Sequence, residues 1–384
     1  MRILVDFTQI PLKRTGAGVY AENLVRELHP LLPPGDKLFV LVQSDDSALP
    51  KLVAEADNVQ LLSIPSRLFR NRLALMFFEQ LALPGILLTH KIDVLHSLHY
   101  TSPLWAPAAR VVTFHDLTML LWPQLHTWSR RVIMPFYMRQ SWQRADAILF
   151  VSESTKADAE RIFPQSPKER VVTPLGVGSG AFAAVPAAEV SAELEKLEIR
   201  QPYLLFVGTI EPRKNLVRLI RAFEKIADEF PDCTLVLAGK LGWDYEQVVR
   251  AIVESRSREH IRHLGYISDQ TRRLLLAGCS ALVYPSLYEG FGLPVLEGMA
   301  AGAPVITSNV SSLPEVAGDA ALQIDPFSLE ELSTAMYRLL SEPVLAEEFR
   351  IRGRSRAAHY TWSTTAAVTY KTYRAVSKSR NQPN

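Results

Sequence analysis

The sequence predicts an α/β protein built from two doubly wound parallel sheets, and three observations carry that reading. At 384 residues the chain is too long for one ordinary domain. Short apolar runs alternate with longer helix-like patterns along its whole length, and parallel strands buried on both faces give such runs. The alternation pauses once. The Pro-containing stretch Val172 to Gly178 leads out of the first series, and Phe182 to Glu198, rich in Ala and then in charge, reads as a boundary.

In chain order, Arg2–Phe7, Lys37–Val42, Val94–His96, Val111–Phe114 and Ala147–Val151 are the expected strands of the first domain. Tyr203–Val207, Thr234–Ala238, Ile261–Leu264, Ala281–Tyr284, Val305–Thr307 and Leu322–Ile324 are those of the second. Helices are expected at Val19–Leu28, Leu216–Glu229, Asp269–Ala277, Glu297–Ala301 and Glu330–Leu340. Two such βαβ series imply two sheets facing each other across a cleft. The resulting division is 1–185 for a first Rossmann-like domain, 186–202 for a linker, 203–365 for a second and 366–384 for a final helix with a polar tail.

Composition removes several classes. Hydrophobic residues make up 48% and charged residues 21%, as in a globular enzyme with real cores. A net charge of +2 argues against nucleic acid as a partner. Cys233 and Cys279 sit in apolar stretches and read as buried thiols of a reducing compartment. No Gly-x-Gly-x-x-Gly follows either opening strand, which counts against a nicotinamide or flavin cofactor. No Asp-x-Asp occurs and no His/Cys cluster has ligand spacing, so neither a metal nor a cofactor is expected. No segment reaches the roughly 18 apolar residues a bilayer span needs, and Met1–Phe7 reads as a strand rather than a signal peptide. The expected location is the cytoplasm, with peripheral membrane contact through two basic, apolar stretches, Arg67–Phe78 and Arg130–Tyr137. A sheet-covering helix with a basic edge is the plainer account of both.

The stretch Tyr284–Glu297, Tyr-Pro-Ser-Leu-Tyr-Glu-Gly-Phe-Gly-Leu-Pro-Val-Leu-Glu, is the most informative. It sets Glu289 and Glu297 around a glycine-rich bend after an apolar strand. Glu289 is expected in the loop at a strand's carboxyl end, the edge where open α/β sheets bind ligands. Glu297 is expected in the first turn of the next helix, where it can accept two hydrogen bonds from a cis-diol such as ribose. Either acid alone is more simply a solvated or dipole-favoured residue. Gly290 and Gly292 between them let backbone N–H groups approach a ligand.

This segment resembles the Glu-x7-Glu motif of the retaining glycosyltransferases of family GT4, whose GT-B architecture pairs two Rossmann-like domains. The resemblance extends along most of the chain. It implies a nucleotide diphosphate sugar donor. It places Glu289 beside the transferred sugar as a positioning and charge-stabilising group, the backbone of Phe291, Gly292 and Leu293 on sugar and phosphate, and Glu297 on the ribose. It also implies that the last helix, Ala366–Ser377, crosses back onto the first domain.

The loop Gly208-Thr-Ile-Glu-Pro-Arg-Lys-Asn215 ends at a helix start. Arg213 and Lys214 there suit a diphosphate, a fork-shaped guanidinium beside a point-charge ammonium, and would take up charge on the leaving group. Relatives hold the donor diphosphate with this loop, Gly208 and Thr209 included. Many carry Arg directly after the glycine; here Thr209 stands there, and Arg213 supplies the fork. In the first domain, Gly16 and Gly18 of Thr15-Gly-Ala-Gly18 offer backbone N–H groups to a phosphate, or form a plain tight turn.

Phe114-His-Asp116 ends a strand. Asp116 reads either as a helix cap beside a half-buried His or as support for His115, which the family places against the sugar. His96 and His99 are expected on the acceptor side. Tyr266 and Ile267, after Gly265, fall where relatives seat the base. Glu315 reads as an ordinary early-helix acid.

The resulting expectation is a metal-independent retaining hexosyltransferase acting on a saccharide or lipid-linked saccharide. The wording of both loops resembles bacterial mannosyltransferases of surface-polysaccharide assembly, which implies GDP-mannose. UDP-glucose or another hexose donor, an epimerase or phosphorylase, and a non-catalytic sugar-nucleotide-binding subunit are the alternatives.

Overall fold

The computed structural model describes residues 1–381 apart from Lys13, Thr15, 67–71, 126–127 and 165–168; the side chains of Arg72, Leu73, Leu125, 128–130, Val132 and Asn381 are also outside it. Thr15 of the first-domain glycine turn, and the start of the basic stretch at Arg67, therefore lie outside the described residues. The chain divides into two compact units. One is Met1–Gly176 with Thr361–Asn384, the other Val177–Tyr360.

The first unit holds a seven-stranded parallel sheet of β1 (Arg2–Asp6), β2 (Lys37–Gln43), β3 (Val59–Ile64), β4 (Val94–Ser97), β5 (Ala109–Phe114), β6 (Ala147–Phe150) and β7 (Glu169–Val172), ordered β3-β2-β1-β4-β5-β6-β7. The central strands are mostly apolar, as expected where helices cover both faces. On one face Trp142 and Phe163 stack at 5.2 Å beneath Phe150 and Phe114. Leu83 and Leu87 pack on Leu4, Phe39 and Leu95 nearby. On the other face the terminal helix Trp362–Asn381 lies against Ala17–Leu28. The terminal helix starts four residues before the expected Ala366 and stays within this unit.

Two strands, β3 and β7, are additions to the sequence reading. Both are edge strands with several half-exposed positions, so neither presents a continuous apolar run.

The second unit holds a six-stranded parallel sheet of β8 (Tyr203–Val207), β9 (Thr234–Ala238), β10 (Ile261–Gly265), β11 (Ala281–Tyr284), β12 (Val305–Ser308) and β13 (Leu322–Ile324), ordered β10-β9-β8-β11-β12-β13. Its core includes Phe206 stacked on Tyr284 at 5.6 Å. Residues 186–202, read as a linker, lie in this unit, where the helix Ala187–Lys196 packs on Asp269–Gly278. Glu193 accepts a 2.8 Å hydrogen bond from Thr271 there.

Candidate active site

In a doubly wound sheet the strand order reverses beside the first strand, and the loops leaving the two flanking carboxyl ends splay apart to leave a crevice. In the second unit that point lies between β8 and β11. The loops that leave it are 208–215 and 285–292, the two stretches singled out from the sequence. Gly239, at the end of β9, makes the first of them possible: a Cβ there would lie 1.7 Å from the Gly208 carbonyl oxygen.

The two loops are bolted together. Leu287 N–H donates to the Arg213 carbonyl at 2.8 Å. Asn215, in the left-handed region at φ 62°, donates its side-chain amide to the carbonyls of Pro285 and Pro326. Short polar side chains tolerate that backbone best.

Glu289 sits between the two cations. Arg213 Nη1 donates to Oε2 and Lys214 Nζ to Oε1, each at 2.5 Å. Lys214 is 5% exposed and Glu289 7%. Lys214 also donates to the Tyr284 hydroxyl, and Arg213 to Glu211 and to the Tyr288 carbonyl. Burial by itself would push the Glu289 carboxyl up; Arg213 and Lys214 outweigh it and hold it at about 2. Burial and then the neighbouring Arg213 push the Lys214 ammonium down, while Glu289 and Glu211 pull it back. Glu289 is thus an ionised carboxylate at neutral pH and cannot serve as a proton donor.

The rest of the loop is pinned from below by Ser311 and Ser312, which no motif of the sequence assigns to the site. Glu289 N–H donates to Ser311 Oγ at 3.0 Å, and Ser312 Oγ donates to the carbonyls of Glu289 and Phe291 at 2.9 and 2.8 Å. Gly292 has φ 112°, which a side chain strains, and caps the helix Leu293–Ala301. That helix begins at Leu293, with Pro294 one residue in, so Glu297 stands in its second turn rather than its first. Glu297 faces Arg272 at 3.5 Å; burial pushes its carboxyl up and Arg272 opposes. Phe291 is buried, edge-on to Tyr360. Thr209 and Ile267 are half-buried, and Tyr266 is 67% exposed just past β10.

In the first unit the reversal falls between β1 and β4. The segments leaving them meet through Gln9, whose amide donates to Thr101 Oγ1 at 2.7 Å and to Glu79 at 2.5 Å. Thr101 donates to the same carboxylate at 2.6 Å. Glu79, on a single π-helical turn at Phe78–Ala82, is 5% exposed. Burial lifts it to about 7, with nearby Asp6 adding to the rise. A π-turn places residues that an α-helix would rotate away, and no sequence period reveals one.

His115 lies at the carboxyl end of β5, edge-on to Tyr20 at 5.1 Å. Its Nε2–H donates to the Leu98 carbonyl at 2.8 Å, so Nδ1 is the acceptor nitrogen. Burial pushes its pKa down, favouring the neutral ring. Asp116 does not hold His115 by a hydrogen bond. Its carboxylate takes Thr118 N–H and Oγ1, the capping alternative, and acts on His115 only through its charge.

His96 corrects the sequence reading. It is fully buried, hydrogen-bonded through Nδ1 to Tyr373 and through Nε2 to Thr113, and thus ties the terminal helix to the sheet. His99 is half-buried, its ring 6.0 Å from that of His115. Gly16 caps the helix Ala17–Leu28 at φ 35°, and Gly18 lies buried in its first turn against Arg14.

The structure therefore brings Arg213, Lys214, Glu289 and the loop 208–215 together. Glu211 and Tyr284, inside the two quoted stretches but given no role there, and Ser311, Ser312 and Glu79 complete the constellations. Among the described residues, no group of three or more His, Cys, Asp or Glu side chains could hold a metal ion.

Two family models match the chain, Glycosyltransferase Family 4 over residues 14–178 and Glycosyl transferases group 1 over 191–356. The O-antigen chain mannosyltransferase B of Escherichia coli is 36% identical over 270 residues, covering 69% of this chain and 70% of that protein. A serotype-specific mannosyltransferase of Escherichia coli is 29% identical over 281 residues, 71% of this chain, which spans only 34% of that longer protein. The solved sucrose-phosphate synthase of Thermosynechococcus elongatus superposes with a TM-score of 0.78 at 20% identity, covering 99% of this chain and 100% of that one. With the two Rossmann-like units of the GT-B architecture, the chain belongs to the group 1, family 4 glycosyltransferases.

Proposed function

We propose that this glycosyltransferase moves mannose from GDP-mannose to a hydroxyl of a saccharide or lipid-linked saccharide, with retention and without a divalent ion, in surface-polysaccharide assembly. The similarity to an O-antigen mannosyltransferase supports the sugar and the process. The observation that carries the chemistry is the buried Glu289 between Arg213 and Lys214 at the sheet's reversal point.

Transfer of a glycosyl group develops negative charge on the leaving diphosphate and positive charge on the ring. Arg213 and Lys214 are preorganised cations for the first. They would loosen from Glu289 as a diphosphate arrives, with backbone N–H groups of Gly208 and Thr209 completing its shell. Glu289, held ionised, would stabilise the second without forming a covalent bond. Phe291, Gly292 and Leu293 offer backbone groups to sugar and phosphate. Glu297 would leave Arg272 for the ribose diol, and Tyr266 and Ile267 would flank the base. His115 presents Nδ1 to a sugar hydroxyl, with Asp116 biasing its charge. The departing phosphate oxygen takes the acceptor proton, so the same face of the sugar is attacked. A lipid-linked acceptor places the work at the inner face of a membrane.

The test is thermal stabilisation by GDP against UDP, followed by acceptor-dependent GDP release from GDP-mannose in the presence of a chelator. Selective binding stabilises a fold by mass action. Stabilisation by UDP alone transfers the reading to a UDP-hexose; release that no acceptor stimulates removes it.

A further inference from the structure

We infer that one face of the first unit is a docking surface for an anionic lipid bilayer. This deepens the reading of a membrane-held acceptor and rests on it only for the biological setting.

The parallel order decides which helices share a face. The crossovers β3 to β4 and β5 to β6 run the same way along the sheet, so right-handed connections put 72–89 and Trp128–Arg144 on one side. The crossover β1 to β2 runs the other way and puts Ala17–Leu28 opposite, where the terminal helix covers it. Contacts join the first pair. The loop 101–106 is wedged between them, with Leu104 N–H on Gln80 at 2.8 Å and Arg144 on the Leu104 carbonyl at 3.1 Å.

What this face shows to solvent is unusual. From residue 74 to 89 the exposed positions are Phe77, Leu81, Ala82, Gly85, Leu88 and Thr89, with no charge among them. The segment's one acid, Glu79, points inward. Phe77, Leu81 and Leu88 are 65%, 73% and 57% exposed, Trp105 on the wedged loop 62%, and Phe136 on the neighbouring helix 53%. Inward, Leu83 and Leu87 are buried in the core and Phe78 packs against it, so the segment carries large apolar side chains on both its inner and outer faces. A helix of that kind on a surface needs a cover.

Charge selects the cover. The exposed charged side chains described on Trp128–Arg144 are Arg131, Arg139 and Arg144, all basic. Among the described residues of 74–144 the exposed charged side chains are Lys91, Arg131, Arg139 and Arg144 against one acid, Asp93. A second copy docking about a two-fold axis would press this basic patch onto itself. Lipid phosphates meet it favourably, with the aromatic and Leu side chains at the headgroup boundary and the guanidinium groups reaching out. No helix of the described residues is long and apolar enough to cross a membrane, so the surface lies on the bilayer.

The test is co-sedimentation of the full chain with phosphatidylcholine vesicles and with vesicles containing phosphatidylglycerol. Binding is expected only to the second, weakened by salt. Phe77→Ser with Leu81→Ser should abolish it, and Arg131→Gln and Arg139→Gln should each weaken it roughly fivefold. All these variants should keep the GDP-induced thermal shift of the native chain, which also shows that they fold. No preference for phosphatidylglycerol, or full binding by the double variant, overturns the inference. So does a dimer in light scattering that the double variant dissolves. Loss of the GDP shift in the native chain would defeat the donor reading and leave this surface untouched.

Discussion

Lys214 and Glu289 face each other at 2.5 Å with almost no solvent contact. A buried pair of this kind contributes little over an apolar pair, but losing one member leaves a buried charge. At the reversal point of the sheet such a pair keeps charge ready for a ligand, which is the role proposed for it.

Glu289→Gln should lower turnover about a hundredfold or more, the scale of losing one preorganised electrostatic group. KM for the donor should change little, since Gln frees both cations for the diphosphate. Steady-state kinetics beside the thermal midpoint check this. Unchanged kcat removes Glu289 from the chemistry.

Lys214→Ala should cost on the order of 3 kcal/mol of stability. Arg213 still faces Glu289 and limits the loss. The expected signature is a large rise in donor KM with partial rescue of stability in the double variant Lys214→Ala, Glu289→Ala. Urea unfolding of the singles and the double supplies the cycle. Strict additivity would show that the pair is not coupled.

Two carboxylates should give opposite pH signatures. Glu289 is depressed from 4.5 to about 2, so its contribution is present above 4.5 and is lost as pH falls toward 2. Glu79 is raised from 4.5 to about 7, so its protonated form favours folding below 4.5 and that advantage disappears as pH rises through 7. Asp6, Tyr137, Gln9, Gln80 and Thr101 are the groups recorded around it. Glu79→Gln should therefore flatten the stability profile between pH 4.5 and 7, where the native chain falls by on the order of 3 kcal/mol. Urea midpoints across that range decide it; an unchanged slope refutes the assignment.

Gly239→Ala should damage the loop 208–215 from outside it. The added methyl carbon would meet the Gly208 carbonyl at 1.7 Å, backbone against side chain, and one strand end must move. A loss of about 1–3 kcal/mol is expected, with weakened GDP stabilisation even where the fold survives. Gly180→Ala, where nothing lies within 4 Å, is the control.

The sequence by itself determined the two parallel sheets, their central strands, and the loops carrying Arg213, Lys214 and Glu289. Those features are local: apolar runs, helix starts and glycine-rich bends are written in neighbouring residues. Edge strands β3 and β7 escaped because half-exposed strands need no continuous apolar run. Tertiary structure alone decided that Glu289 is clasped by both cations, that Ser311 and Ser312 pin its loop, and that His96 belongs to the core. It also decided which apolar side chains remain in water, since Phe77 and Phe78 are identical in sequence terms and differ only in the face they occupy. Pairings across some seventy residues, and the choice of face, follow from how strands stack and cross over, and no short stretch of chain contains that information.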